Sequence, residues 1–349
     1  MKIPHTVRTF FLLFVIIVTL ASCSTPPQLT PPTQKLIPEF AFSLETNGQS
    51  DIYIGNADGA IVKQLTDDPG NDFAPIFSPD GSKIVYCSNR SGEHHLYVMN
   101  VDGTSQTLLT DQLDNCPTLP DRPIVWSPDS QWIAFASPSI VQRVDIYIIK
   151  SDGSKTINLT DSPSFYGAFL WDPDSKSLLF LEARGEPDIY RIDIASKKIS
   201  RLMDKPVWAA PIEYSPDGKQ LLVMNGPKQA VSVISFSQGN PVITKLSSGD
   251  VIDTYPHWSK DGQRILFMRQ EGQNQDIYWM NGDGSGLVNL TEGSGVLNAW
   301  PTLSPDGQKI IYLTNHDYQW DTMIMNADGS GKTKVTEIFG ASGLISWRP

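Results

Sequence analysis

From residue 39 onward, three short phrases recur in fixed order, and this repeat constrains the fold more than any other feature of the chain. The first phrase is a bulky residue followed by a Ser-Pro-Asp-Gly-like turn. It begins at Phe77, Trp126, Trp171, Tyr214, Trp258 and Leu303, and a truncated copy, Trp347-Arg348-Pro349, ends the chain. Successive lead positions are 49, 45, 43, 44, 45 and 44 residues apart. A fixed period of this length signals one supersecondary unit stacked many times, and about 40–45 residues is the period of a propeller blade.

The second phrase alternates apolar and polar residues, opens Asp-Ile-Tyr and closes in Asp-Gly, as in 51–59, 145–153 and 276–284. Residues 230–238 hold its place in degraded form. The third is a short strand ending in Leu-Thr or similar, at 65–66, 109–110, 159–160, 202–203, 246–247, 290–291 and 335–336. A β-branched and aromatic run, such as 84–88 or 310–314, lies between the first and second phrases. Each unit therefore reads as four short strands separated by turns. Pro at i+1 and Gly at the left-handed position are turn chemistry. The chain supplies strands two to four of one unit at residue 39 and a lone first strand at its end. Pairing them would close a ring without a free edge between first and last blades. The expected architecture is an all-β, seven-bladed β-propeller over residues 39–349.

Ahead of the repeat, Lys2 and Arg8 precede an uncharged apolar run, Phe10 to Leu20. It is too short for a hydrocarbon core about 30 Å thick and reads as a signal-peptide core. The run ends in Leu20-Ala21-Ser22-Cys23, which resembles the bacterial lipobox, so residues 1–22 are expected to be removed and Cys23 to carry lipid. Ser24 after that Cys favours outer-membrane sorting. Residues 23–38 are rich in Pro and Thr and read as an extended tether. The expected location is the extracytoplasmic face of the cell membrane or outer membrane, in the periplasm or at the cell surface. The net charge of −11 becomes −13 once Lys2 and Arg8 leave, which argues against nucleic acid as a partner.

The repeat, with Pro256-His-Trp-Ser-Lys-Asp-Gly262 and Asp276-Ile-Tyr-Trp-Met-Asn281 as close matches, resembles the WD40-like (PD40) propeller repeat of TolB-type proteins. The resemblance implies the fold across residues 39–349 and says little about activity. TolB-type proteins add an N-terminal α/β domain that engages the Tol machinery, and here the tether runs almost directly into blade strands. Similar repeats precede hydrolase domains in prolyl oligopeptidase-like enzymes, and no stretch after Trp347 is expected to form one.

Catalytic constellations are weak. Gly331-Lys332-Thr333 lacks the first Gly of a phosphate loop, since Asn326 stands there. No nucleophile elbow or His-Glu-x-x-His pair is present. His94, His95 and His316 are expected in second-to-third strand loops and His257 before a first-strand Trp. A metal-dependent lyase on a similar propeller uses clustered histidines, but solvated loop histidines are the simpler reading. The repeated turn aspartates suit Asx-type turns better than calcium and should make one face acidic. No catalytic residue, metal or cofactor is assigned.

The opposite face carries Phe73, Phe165, Tyr166, Trp208, Tyr255, Trp300 and Phe339, expected in loops joining one blade to the next. With Arg122, Glu213 and His257 at the funnel edge they form the candidate ligand site, because aromatic rings at a concave mouth can anchor a peptide or sugar. Wedging of single rings between blades is the competing account. Cys87 and Cys116, in an oxidising compartment, are candidates for a disulfide that pins the insertion behind the 49-residue interval. The reading is a monomeric, lipid-anchored, non-enzymatic binding module or scaffold in the cell envelope, held to the membrane by its lipid and taking a protein, peptide or glycan partner at the mouth. Alternatives are a carbohydrate-active lyase or hydrolase working at the funnel, and a Tol-Pal-like envelope component.

Overall fold

The computed structural model describes residues 39–110, 116, 124–139, 143–160, 166–182, 187–236, 240–316, 319–336 and 345–349. The strands form seven antiparallel four-stranded sheets, and the first strands of successive blades touch one another, which places them around a common axis. Blade 1 joins Ser346–Trp347 to residues 39–64. Blades 2 to 7 cover residues 72–108, 125–158, 166–201, 209–245, 252–289 and 297–336. The degraded unit is a full blade, with Ala230–Ser235 as its third strand.

Each repeated phrase has a local physical cause. In the Ser-Pro-Asp-Gly turns the Ser hydroxyl donates to the Asp carboxylate, as in Ser78 to Asp80 and Ser259 to Asp261, both 2.6 Å. The same carboxylate then accepts a backbone N–H two residues on, from Ser82 or Gln263, both at 3.0 Å. These bonds, led by the Ser hydroxyl, hold the Asp80, Asp217 and Asp261 carboxyls below the ordinary range. The turns need a left-handed fourth residue, and Gly81 supplies it with φ 67°. Ser130 and Ser175 adopt the same conformation at φ 59° and 60°. Their hydroxyls compensate by accepting the backbone N–H of Asp80 and Asp129 in the preceding blades, both at 3.1 Å.

The Leu-Thr phrase is a clamp. The Thr66, Thr160 and Thr291 hydroxyls accept the N–H that follows Asp51, Asp145 and Asp276, at 2.9, 2.8 and 3.0 Å. Each hydroxyl donates to that Asp carboxylate, at 3.3, 3.1 and 2.6 Å. The fourth strand is thereby tied to the third where the short ladder ends.

Alternation along each strand sends successive side chains to opposite sheet faces, so there is no single core. Seven apolar clusters fill the seven gaps between blades: Leu178 and Phe180 pack toward blade 3, while Leu179 packs toward blade 5. Lead tryptophans cross these gaps, with the indole N–H of Trp126, Trp171 and Trp347 donating to the carbonyls of Ile76, Val125 and Thr302 at 3.1, 3.2 and 3.4 Å. The ring closes where Phe40 pairs with Trp347 and Ala41 with Ser346. The Phe40 and Trp347 rings lie 5.3 Å apart, and Arg348 donates its backbone N–H and guanidinium to Glu39, both at 2.8 Å. Cys87 and Cys116 are joined as a disulfide with Cα atoms 5.5 Å apart.

Trp347→Ala should cost about 3 to 5 kcal/mol, as core aromatic truncations do, read as a lowered urea midpoint. A loss under about 1 kcal/mol would mean that the ring does not depend on this strand. For the disulfide, a Cys23→Ser chain unfolded without reductant should titrate no free thiol, and reduction should lower stability by about 3 to 4 kcal/mol for a loop of this length. Finding two thiols would remove the bridge.

Candidate functional site

Antiparallel order puts the Asp-turn hairpins of the blades on one face of the ring. The interblade connections and the second-to-third strand hairpins lie on the other. This second face carries Phe73, Tyr166, Trp208, Tyr255 and Trp300, four of them in strands rather than in the loops where the sequence placed them. Phe73, Tyr255 and Trp300 lie inside the first strands Asp72–Phe77, Ile252–Trp258 and Leu297–Leu303 rather than in loops, and Tyr166 opens Tyr166–Trp171. Trp208 sits one residue before Ala209–Tyr214 and is 52% exposed.

The strand placement of these residues has one cause. The register slips at one place in the first strands of blades 2, 4, 5, 6 and 7. Pro75, Pro256 and Pro301 fall in such slips, where a missing N–H costs no ladder bond. Proline reads as a strand end in sequence, whereas here pairing resumes beyond it. Three residues before the lead, Ala74, Ala168, Tyr255 and Trp300 take positive φ values of 54°, 34°, 52° and 49°. Left-handed backbone is uncommon for any residue with a Cβ and a true outlier for bulky side chains such as Tyr and Trp. Tyr255 and Trp300, half-buried, meet edge to face with centroids 6.4 Å apart. Trp320, from the third strand of blade 7, adds a ring 5.3 Å from Trp300. Sequence reasoning missed it, although its place just before the third-strand Asp321 puts it on this face.

Buried ion pairs brace two of these strands. Five residues before the lead, Asp72 and Asp253 are fully buried. Arg269 grips Asp253 with two bonds of 2.7 and 3.0 Å, its guanidinium 5.3 Å from both the Phe267 and Tyr278 ring centres. Arg90 reaches Asp72 at 2.9 Å and Asp68 at 2.6 Å, over the Tyr97 ring at 4.7 Å. Burial nevertheless outweighs this attraction and pushes the Asp72 carboxyl up to about 6. Phe73, next in line, meets His94 edge to face at 5.5 Å.

Inside the ring, the residue before each lead is half-buried on a strand that lines the axis. Ile76, Val125 and Leu170 make one arc apolar, while Glu213, His257, Thr302 and Ser346 make the other polar. Glu213 accepts the Trp258 N–H at 3.1 Å and lies 3.4 Å from Nδ1 of His257. Ser346 accepts the Phe77 N–H at 3.0 Å in the same way. The structure thus brings Glu213 and His257 together across blades 5 and 6.

The other histidines do not converge. His95 is buried at the start of the third strand His95–Asn100, and His316 ends the second strand Lys309–His316 rather than a loop, because both strands pair further than their patterns imply. Among the described residues no group of three or more His, Cys, Asp or Glu could hold a metal. Arg122, Phe165, Phe339 and the lipidation candidate Cys23 lie outside the described residues. Two concavities that the sequence did not suggest open on the Asp-turn face instead. A groove of about 640 Å³ between blades 5 and 6 is lined by Gln220, Ser235, Gln263 and Asn281, and a second lies between blades 6 and 7.

The PD40 model, TolB beta propeller domain, matches residues 15–123, 122–250 and 207–349. A TolB homologue of Chlorobium luteolum is 38% identical over 69 residues, covering 20% of this chain and 16% of that protein. The chain therefore matches less than a fifth of that relative's length. TolB from Acinetobacter baumannii superposes with a TM-score of 0.54 at 19% identity, over 89% of this chain and 82% of that one. Oligogalacturonate lyase from Vibrio parahaemolyticus gives 0.59 at 14% identity, over 86% and 85%. At such identities the structural likeness speaks for fold alone.

Asp72 sets a pH signature for this face. Its folded pKa of about 6 lies above the ordinary 3.8, so between these values the folded chain holds a proton that the unfolded chain releases. The group's contribution is therefore favourable at acidic pH and withdrawn as pH rises from about 4 to about 6. Wild type should lose stability relative to Asp72→Asn over that window in denaturation midpoints. A constant or reversed difference would contradict the assignment.

Proposed function

Because this chain belongs to the TolB beta propeller domain family, we propose that it serves as an extracytoplasmic envelope scaffold, lipid-anchored through Cys23, whose aromatic mouth binds a protein, peptide or glycan partner without catalysis. The observation that carries this reading is the backbone under the mouth. Tyr255 and Trp300 occupy left-handed conformations at equivalent positions of adjacent blades, and such outliers concentrate where a side chain must be presented to something else. Trp208 presents a third large ring to solvent on the neighbouring blade. Aromatic rings of this kind give contact area at little entropic cost. The acidic body argues against nucleic acid, and the apolar stretch before Cys23 supports export.

A second reading is favoured by one contact. The Glu213–His257 pair, 3.4 Å apart and about two-fifths exposed, has the residue types of a general acid and base. It supports a carbohydrate-active enzyme working at the funnel.

Replacing Trp208, Tyr255 and Trp300 together with Ala should abolish capture of the partner from envelope extract while the β-sheet circular dichroism is retained. Undiminished capture by the folded triple variant would discard the mouth as the binding face. Separately, turnover of a glycan that is lost in Glu213→Gln and His257→Asn would move the balance to the enzyme.

A further inference from the structure

The repeat is broken twice at the junction of blades 6 and 7, and a groove opens there. Every other lead position is aromatic, but blade 7 has Leu303. The lost ring is regained from the other side: the fourth residue of the third-strand phrase is Ile, Val or Arg in the other blades and Trp279 in blade 6. Leu303 packs in the cluster that contains Trp279, a large-for-small exchange that moves the ring from the inner strand to the third strand of the preceding blade. Trp279 is fixed by its indole N–H, which donates to the carbonyl of Ala327 at 2.7 Å.

The second break is Lys260, which stands where the other five complete turns have Pro79, Pro128, Pro173, Pro216 and Pro305. The groove, about 440 Å³, is lined by Lys260, Asp261, Arg264, Trp279, Leu303 and Asp306 among others. The Arg264 guanidinium lies 4.6 Å from the Trp279 ring centre. Stacking holds it flat and leaves its fork for a planar acceptor. Both lining carboxylates are engaged by their own turns, accepting from the Ser259 and Ser304 hydroxyls at 2.6 and 2.7 Å, and Asp261 also feels the Arg264 charge. Two cations, two turn-held carboxylates and a largely buried indole therefore line one small, partly apolar groove.

We infer that this groove captures a single carboxylate carried on an apolar body, such as the C-terminal residue of a peptide. The cations supply a charge-assisted, two-point grip on the carboxylate. Leu303, half-buried beside the buried Trp279, offers apolar surface to the side chain, and the volume matches a ligand of one or two residues. The two aspartates of the lining leave room for only one added negative charge and repel a polyanion, which favours one isolated carboxylate over a string of them. The site lies on the opposite face from the aromatic mouth and is independent of it.

The test is calorimetric titration of the full chain with N-acetyl-glycyl-phenylalanine as the free acid, its C-terminal amide, and glucuronate. The free acid should bind at least tenfold more tightly than the amide or glucuronate. Arg264→Gln and Lys260→Pro should each weaken it at least tenfold. Lys260→Pro restores the repeat residue, so folding is preserved in at least that variant. The triple Ala variant of the mouth should bind the dipeptide as wild type does. No binding of the free acid, equal binding of acid and amide, glucuronate binding as tight as the peptide acid, or indifference to both substitutions would each overturn the proposal.

Discussion

The structure depends on a two-residue strand. Ser346 and Trp347 complete the sheet begun by Glu39–Thr46, and without them blade 1 lacks its axial strand. Every apolar cluster lies between blades rather than within one, so no blade can bury its faces alone. Closure also satisfies both neighbours: Phe77 gives its N–H to Ser346, and the Trp347 indole reaches back to blade 7. A ring of mutually buried sheets is stable as a whole because each edge blade would otherwise expose one apolar face.

The two faces of that ring are built from different requirements. On one, the aspartates accept hydrogen bonds within their own turns, as Asp80, Asp129, Asp217, Asp283 and Asp328 do. On the other, first strands carry a slip that lets proline sit in the innermost strand and rotates a large side chain toward the mouth. The buried pairs Asp72–Arg90 and Asp253–Arg269 lock the strand just before the slip, so the aromatic side chains that follow are held by structure below them.

Much of this was legible in the residues. Period, turn phrases and the split blade are local patterns, and their physical causes, Ser-Asp turns and the Thr clamp, are short-range hydrogen bonds that a sequence writes out directly. Phe73, Tyr166, Trp208, Tyr255 and Trp300 stand three to six residues ahead of a lead residue, close enough for the repeat to draw attention to them. Their conformation was not legible. Proline at 75, 256 and 301 reads as a strand end, and only the pairing partner on the second strand shows that the ladder continues. Trp320 and the Arg264–Trp279 stack were missed because each contact joins residues from separate strands or separate phrases.

By itself, then, the sequence determined the fold class, the number of blades and the way the ring closes, because those follow from local turn chemistry repeated at a constant interval. The tertiary structure alone decided which side chains meet: Glu213 with His257, Tyr255 with Trp300, and Leu303 with Trp279. These partners lie about 24 to 45 residues apart and belong to adjacent blades. Their meeting depends on how two sheets pack and where a first strand slips, and the repeat fixes neither.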